Sequence, residues 1–135
     1  MHVTLFTCAE SFAVDSRSNR PSLFHVLDEF DASEFPVMLP QLHVVAMLER
    51  SPHEPEATNA NLSVTFGGDS VPLVDAQFAI AFEGKLRART FGLLQGLAIP
   101  APGIVTATLS MNGQKKASWK ITVTQNGQLP LGAAL

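Results

Sequence analysis

Apolar and polar residues alternate through most of the chain, a pattern that predicts strands. Leu62, Val64 and Phe66 alternate with Ser63 and Thr65 before the turn Gly67-Gly68-Asp69, and Phe78, Ile80 and Phe82 alternate with polar or small residues before Glu83-Gly84-Lys85. A period of two puts one face of each strand against a core and the other toward water. Residues 42–48 are apolar at nearly every position, which predicts a central strand covered on both faces. Residues 3–8 and 23–30 read as two further strands, separated by a polar loop over 15–20. Pro36 and Pro40 precede the central strand and Pro52 and Pro55 follow it. Proline has no ladder donor, so all four are expected in connections.

Two stretches need more than parity. Over 86–99, Arg87 and Arg89 share a face with Phe91, Leu93 and Leu97, which requires a bulge or break near Gly92, or a short helix. Near the end, Val105, Ala107, Leu109 and Met111 form one apolar face and Ala117, Trp119, Ile121 and Val123 another. A two-residue Asn112-Gly113 hairpin would set Leu109 against Lys116 and mix the faces. A three-residue loop, Met111-Asn112-Gly113 with Gly113 left-handed, keeps them consistent by pairing Ala107 with Ala117 and Val105 with Trp119.

No internal repeat and no long amphipathic helix is present, so the expected fold class is all-β. The expectation is a single antiparallel β-sandwich, immunoglobulin-like or a similar Greek key, of about seven to nine strands. The domain spans residues 1–126, and 127–135 form an apolar tail, loosely ordered or docked. The expected core is Val3, Leu5, Leu42, Val44, Ala46, Leu48, Val64, Phe66, Phe78, Ile80, Phe82, Val105, Leu109, Trp119, Ile121 and Val123.

A resemblance rests on Leu5-Phe6-Thr7-Cys8, on the strand Leu23-Phe24-His25-Val26-Leu27-Asp28 followed by Phe35-Pro36, and on the apolar strand over 42–48. It also rests on the closing pattern Pro102-Gly103-Ile104-Val105, Leu109, Asn112-Gly113. Together these resemble a small uncharacterised bacterial family, a domain of unknown function. The resemblance implies a β-sandwich and carries no activity with it.

Composition narrows the classes. The 135 residues are 46% apolar and 16% charged, enough for one core and too little for two. Every apolar stretch is interrupted well before the ~18 residues of a membrane span, so no membrane association is expected. With no signal-like start and a single cysteine, Cys8, the reading is a cytoplasmic protein without a disulfide framework. All twelve acids lie between Glu10 and Glu83, where only Arg17, Arg20 and Arg50 are basic, while Lys85, Arg87, Arg89, Lys115, Lys116 and Lys120 follow with no acid among them. Two readings meet here: the halves neutralise each other within one fold, or the basic third takes an anion or nucleic acid. A pI near 5.7 and the lack of tyrosine speak against nucleic acid.

Candidate chemistry is sparse. Cys8, His25 and an Asp supply the residue types of a thiol nucleophile, which would make a small hydrolase or thiol enzyme. His2, His25, His43 and His53 fall at no tight metal spacing, and His43, inside the most apolar strand, is expected to have its ring nitrogens hydrogen-bonded. Asp28, Glu29, Asp31 and Glu34 cluster before Phe35-Pro36, the one acidic group with calcium-like chemistry, with Asp69 and Asp75 as spatial additions. Neither a Gly-x-Ser-x-Gly elbow nor a phosphate loop occurs, and no catalytic residue, metal or cofactor is assigned. The reading that remains is a non-catalytic protein-binding or assembly module. Its expected partner is another protein or a second copy in a dimer, through the last strand as a sheet edge, helped by the tail.

Overall fold

The computed structural model describes residues 1–68 and 72–129. Nine strands run in chain order: β1 His2–Val14, β2 Pro21–Val26, β3 Glu29–Ala32, β4 Val37–Glu49, β5 Ala57–Phe66, β6 Val74–Ala81, β7 Arg87–Ile99, β8 Gly103–Met111 and β9 Gln114–Gln125. They form two sheets, ordered β2-β1-β4-β7 and β3-β9-β8-β5-β6, with no helix among the described residues. One buried cluster joins both sheets, from Phe6, Leu42, Val44 and Leu48 to Val64, Phe82, Leu109 and Ile121.

The chain passes from one sheet to the other at Leu27-Asp28. Residues 23–30 are therefore not one strand: Leu27 is buried in the core, and β3 resumes in the second sheet. The crossing is fastened on both sides, Leu27 N donating to Cys8 O at 2.8 Å and Thr122 N to Asp28 O at 2.8 Å. Because β3 enters the second sheet in this direction it pairs with β9 in parallel, so the fold is not wholly antiparallel. That pairing also places β9 between β3 and β8, correcting the expectation of a last strand at an edge. The edge strands are β2, β7, β3 and β6.

Pro40 lies inside β4, contrary to its expected place in a connection. It is tolerated because β1 pairs with β4 only as far as Ala9 opposite His43, which leaves this end of β4 with a neighbour on one side. In the β4–β7 register Pro40 falls opposite Gly96, whose φ is +70°. Both strands change parity at this rung: Leu39 and Leu97 are buried on one side of it, Leu42 and Leu94 turn inward on the other. Hence 86–99 holds a continuous strand and no helix, with its irregularity at Gly96 and not at Gly92. The simultaneous shift keeps the register unbroken and leaves Phe91 and Leu93 facing outward.

The β8–β9 hairpin also departs from expectation. It closes on a two-residue turn, Asn112 and Gly113 with φ of +51° and +74°, and Met111 pairs with Gln114. The face mismatch is resolved one step further on, where the register shifts between Leu109 and Ser110 and leaves Lys116 as an extra residue. The resulting pairs are Ala107 with Trp119 and Leu109 with Ala117, in place of the pairing expected from a three-residue loop. A similar shift between Val3 and Leu5 turns Leu5 outward, 38% exposed, so it leaves the expected core. Val3, Phe66, Phe78 and Trp119 pack at the margin of the core, and the other expected core residues are buried within it.

Candidate functional site

The Leu27-Asp28 crossing closes one side between the two sheets. On the opposite side β6 and β7, the edges of their respective sheets, run alongside each other without ladder pairing. Between them opens a cleft of about 330 Å³ whose floor is the core itself: Phe6, Val44, Ala46, Leu62 and Leu109. Phe78 of β6 and Leu94 of β7 form its walls, and Gly92 contributes no side chain to fill it. A second depression of about 440 Å³ continues along the same seam, past Leu73, Val74 and the stretch 93–98. The β7 edge carries its charges, Arg87 and Arg89, at one end only, and from Thr90 to Ile99 it has none. Leu93 stands 47% exposed at its middle. An uncharged edge of this length has unpaired backbone groups and neither charge nor proline to block pairing.

The outer face of the first sheet is covered in part by the chain itself. Past His43 the second half of β1 leaves β4, and Phe12 lies over that face. Its ring stacks on Phe91 at 4.6 Å and meets the His43 ring edge-on at 5.1 Å. The polar loop folds as expected between β1 and β2, with the Asp15 carboxylate accepting from the backbone N–H of Arg17 and Ser18, both at 2.8 Å. Beyond it, Arg89 Nη1 donates to Asn19 O at 2.7 Å, which ties the hairpin to β7. His43 Nδ1 is buried without a hydrogen-bond partner, as is Thr7 Oγ1 on β1, so the expectation that both ring nitrogens of His43 are satisfied fails at Nδ1.

Between this hairpin and the β6–β7 turn lies a larger groove of about 810 Å³. It is lined by Val14 and Asn19 on one side and by Phe82, Leu86 and Phe91 on the other, with Lys85, Arg87, Arg89, Glu49 and Glu83 around it. Arg87 Nε meets Glu49 Oε2 at 3.3 Å, an acid of the first half paired with a base of the last third. Behind the groove Arg50 is almost fully buried. Its guanidinium donates to Lys85 O at 2.8 Å and Glu54 O at 3.1 Å, and lies 5.6 Å from the Phe82 ring. Sequence reasoning passed over Arg50, although a lone base between the prolines of an acidic stretch was the available signal.

The residues singled out for chemistry are not brought together. Cys8 is inaccessible in the core, and burial pushes its thiol up to about 12. His25 is exposed, with φ of +54°, and its Nδ1 contacts Glu10 Oε2 at 3.0 Å. Of the acidic cluster, Asp28, Glu29, Asp31 and Glu34 are all exposed. Among the described residues no three His, Cys, Asp or Glu side chains gather closely enough to hold a metal. Asp31 instead ties elements together: its Oδ1 accepts from Thr124 Oγ1 at 2.6 Å and from Gly127 N at 2.7 Å. Those bonds hold its carboxyl below the ordinary value, the threonine hydroxyl contributing most. Asp75 is exposed on β6. Asp69 lies outside the described residues, as does the tail from 130 onward. The first tail residues follow a tight turn, Gln125 N donating to Gln128 O at 2.9 Å.

No helix among the described residues is long and apolar enough to cross a membrane. Among solved structures, the Pseudomonas fluorescens alkylpurine DNA glycosylase AlkC bound to DNA containing an abasic site analog is similar at a TM-score of 0.48 and 9% identity. The match takes in 88% of this chain and 30% of that one, so this chain spans under a third of the glycosylase's length. No curated protein matches the sequence. A family model does, over residues 4–124, and the chain belongs to that family, the family of unknown function DUF6941.

Proposed function

We propose that this protein is a non-catalytic assembly module, and that it associates with a second copy along the free edge of β7. In this proposal the two sheets are halves of one sandwich, closed by the Leu27-Asp28 crossing and open at the β6–β7 seam. The carrying observation is that seam: an uncharged edge from Thr90 to Ile99 beside a cleft floored by core side chains. A strand added to β7 satisfies the unpaired backbone groups and covers the mouth of the cleft, the pattern of strand addition in protein recognition. The charges favour one orientation. In antiparallel pairing about a two-fold axis near Gly92 and Leu93, Arg87 and Arg89 face the uncharged far end of the other β7. Parallel pairing in register would set each arginine against its own copy, which is unfavourable. The single free thiol, Cys8, supports a cytoplasmic setting.

Amide hydrogen exchange at low and high protein concentration tests this reading. Amides of β7 between residues 90 and 99 are expected to slow as concentration rises, while those of the edge strands β2 and β3 keep their rates. Uniform rates at all concentrations contradict it.

A further inference from the structure

The groove between the β1–β2 hairpin and the β6–β7 turn adjoins the charged end of β7, and its chemistry differs from that of the uncharged edge beyond. Lys85, Arg87 and Arg89 alternate along one stretch of chain and all line it. Arg87 is occupied by Glu49 at 3.3 Å, and Arg89 spends one donor on Asn19 O, which leaves most of its fork free. No acidic side chain is paired with Lys85 among the described residues. Two exposed aliphatic groups, Val14 at 43% and Leu86 at 46%, form an apolar wall beside these cations. A volume of about 810 Å³ with an apolar wall and a few converging polar groups suits a small molecule.

We propose that this groove is a binding site for a small organic anion, one phosphate or carboxylate joined to an apolar body. The anion sits between Lys85 and Arg89, and the body lies against Val14 and Leu86. A nucleic acid is disfavoured by the same geometry. A phosphate backbone needs basic side chains in succession along its track, whereas Glu49 and Glu83 interrupt this rim and the remaining C-terminal lysines are on β9.

Phenyl phosphate titrated into ¹⁵N-labelled protein, followed by amide chemical shifts, tests the assignment. Saturable shifts are expected at residues 14–20 and 83–89. Lys85→Gln is expected to weaken binding by about tenfold or more, the scale of one lost charge-assisted bond. Leu86→Ser is expected to weaken phenyl phosphate but to leave inorganic phosphate unchanged. Absent or scattered shifts, or an affinity indifferent to Lys85→Gln, overturn the proposal. Stronger shifts with a single-stranded oligonucleotide, spread over Lys115, Lys116 and Lys120, overturn it in favour of nucleic acid. Both variants alter exposed side chains, and their amide spectra report directly whether the fold is kept.

Discussion

Two residues show how a side chain's surroundings decide its role here. Cys8 has the residue type of a nucleophile, but a nucleophile must be a thiolate within reach of its substrate. With its thiol inside the core and pushed up to about 12, it is protonated across the neutral range. Iodoacetamide is therefore expected to leave the native protein unmodified at pH 7 and to alkylate it rapidly in denaturant. Rapid native alkylation would restore the thiol-enzyme reading. The same shift has a stability consequence. The folded pKa lies above the unfolded value of 9.0, so burial of the neutral thiol stabilises the fold fully below pH 9 and progressively less toward pH 12. Cys8→Ala is expected to flatten that alkaline decline in urea-unfolding free energy. Trp119 is the second case. Parity placed it correctly on the core face of β9, yet its ring lies at the core margin because Nε1 donates to Leu27 O at 2.7 Å, at the sheet crossing. Trp119→Phe keeps most of the apolar contact and loses that bond, an expected cost of about 1–2 kcal/mol by urea denaturation.

Irregular rungs govern the elements, and they are what the pattern of apolar positions failed to show. Strand existence was legible from alternation over 62–66, 78–82 and 105–123, because one face of each strand meets the core and the other meets water. The continuity of β7 was not, because its parity change at Gly96 is matched by one at Pro40, far away in sequence. Likewise the Asn112-Gly113 turn was recognisable, but the extra residue at Lys116 that reconciles its register depends on the pairing of both strands. Gly96, at φ of +70°, is expected to resist substitution: Gly96→Ala should cost about 1–2 kcal/mol in unfolding free energy. Gly92→Ala, at ordinary φ with nothing within 4 Å of the added carbon, should change it by less than about 0.5 kcal/mol. Equal costs would mean that the paired irregularity is misplaced. The acidic cluster was legible as composition, but its use was not. Asp31 fastens β3 to the turn after β9, and its lowered pKa means that this tie is present above the ordinary value of 3.8 and is lost as pH falls through the folded value. Exchange of the Gly127 amide is accordingly expected to speed up on acidification, beyond its intrinsic pH dependence, and Asp31→Asn should remove that acid response.

At the scale of the whole molecule, the charge asymmetry and the apolar excess read from the sequence have separate outcomes. Part of the asymmetry is resolved within the fold, where Arg87 of the basic third meets Glu49 of the acidic stretch. The apolar excess is concentrated at the β6–β7 seam and on outward residues such as Leu93, Met38 and Phe24. The sequence suggested a free edge at the last strand, but β9 is interior, since the parallel β3–β9 pairing depends on a sheet crossing that local patterns do not reveal. Sedimentation equilibrium of the intact protein beside Leu93→Glu at micromolar concentration tests the central claim most directly. The account predicts twice the 14.5 kDa chain mass for the intact protein and a single-chain mass for the variant, whose new carboxylates would meet near the two-fold axis. A 14.5 kDa species alone for the intact protein, or a dimer that Leu93→Glu leaves undisturbed, would contradict it.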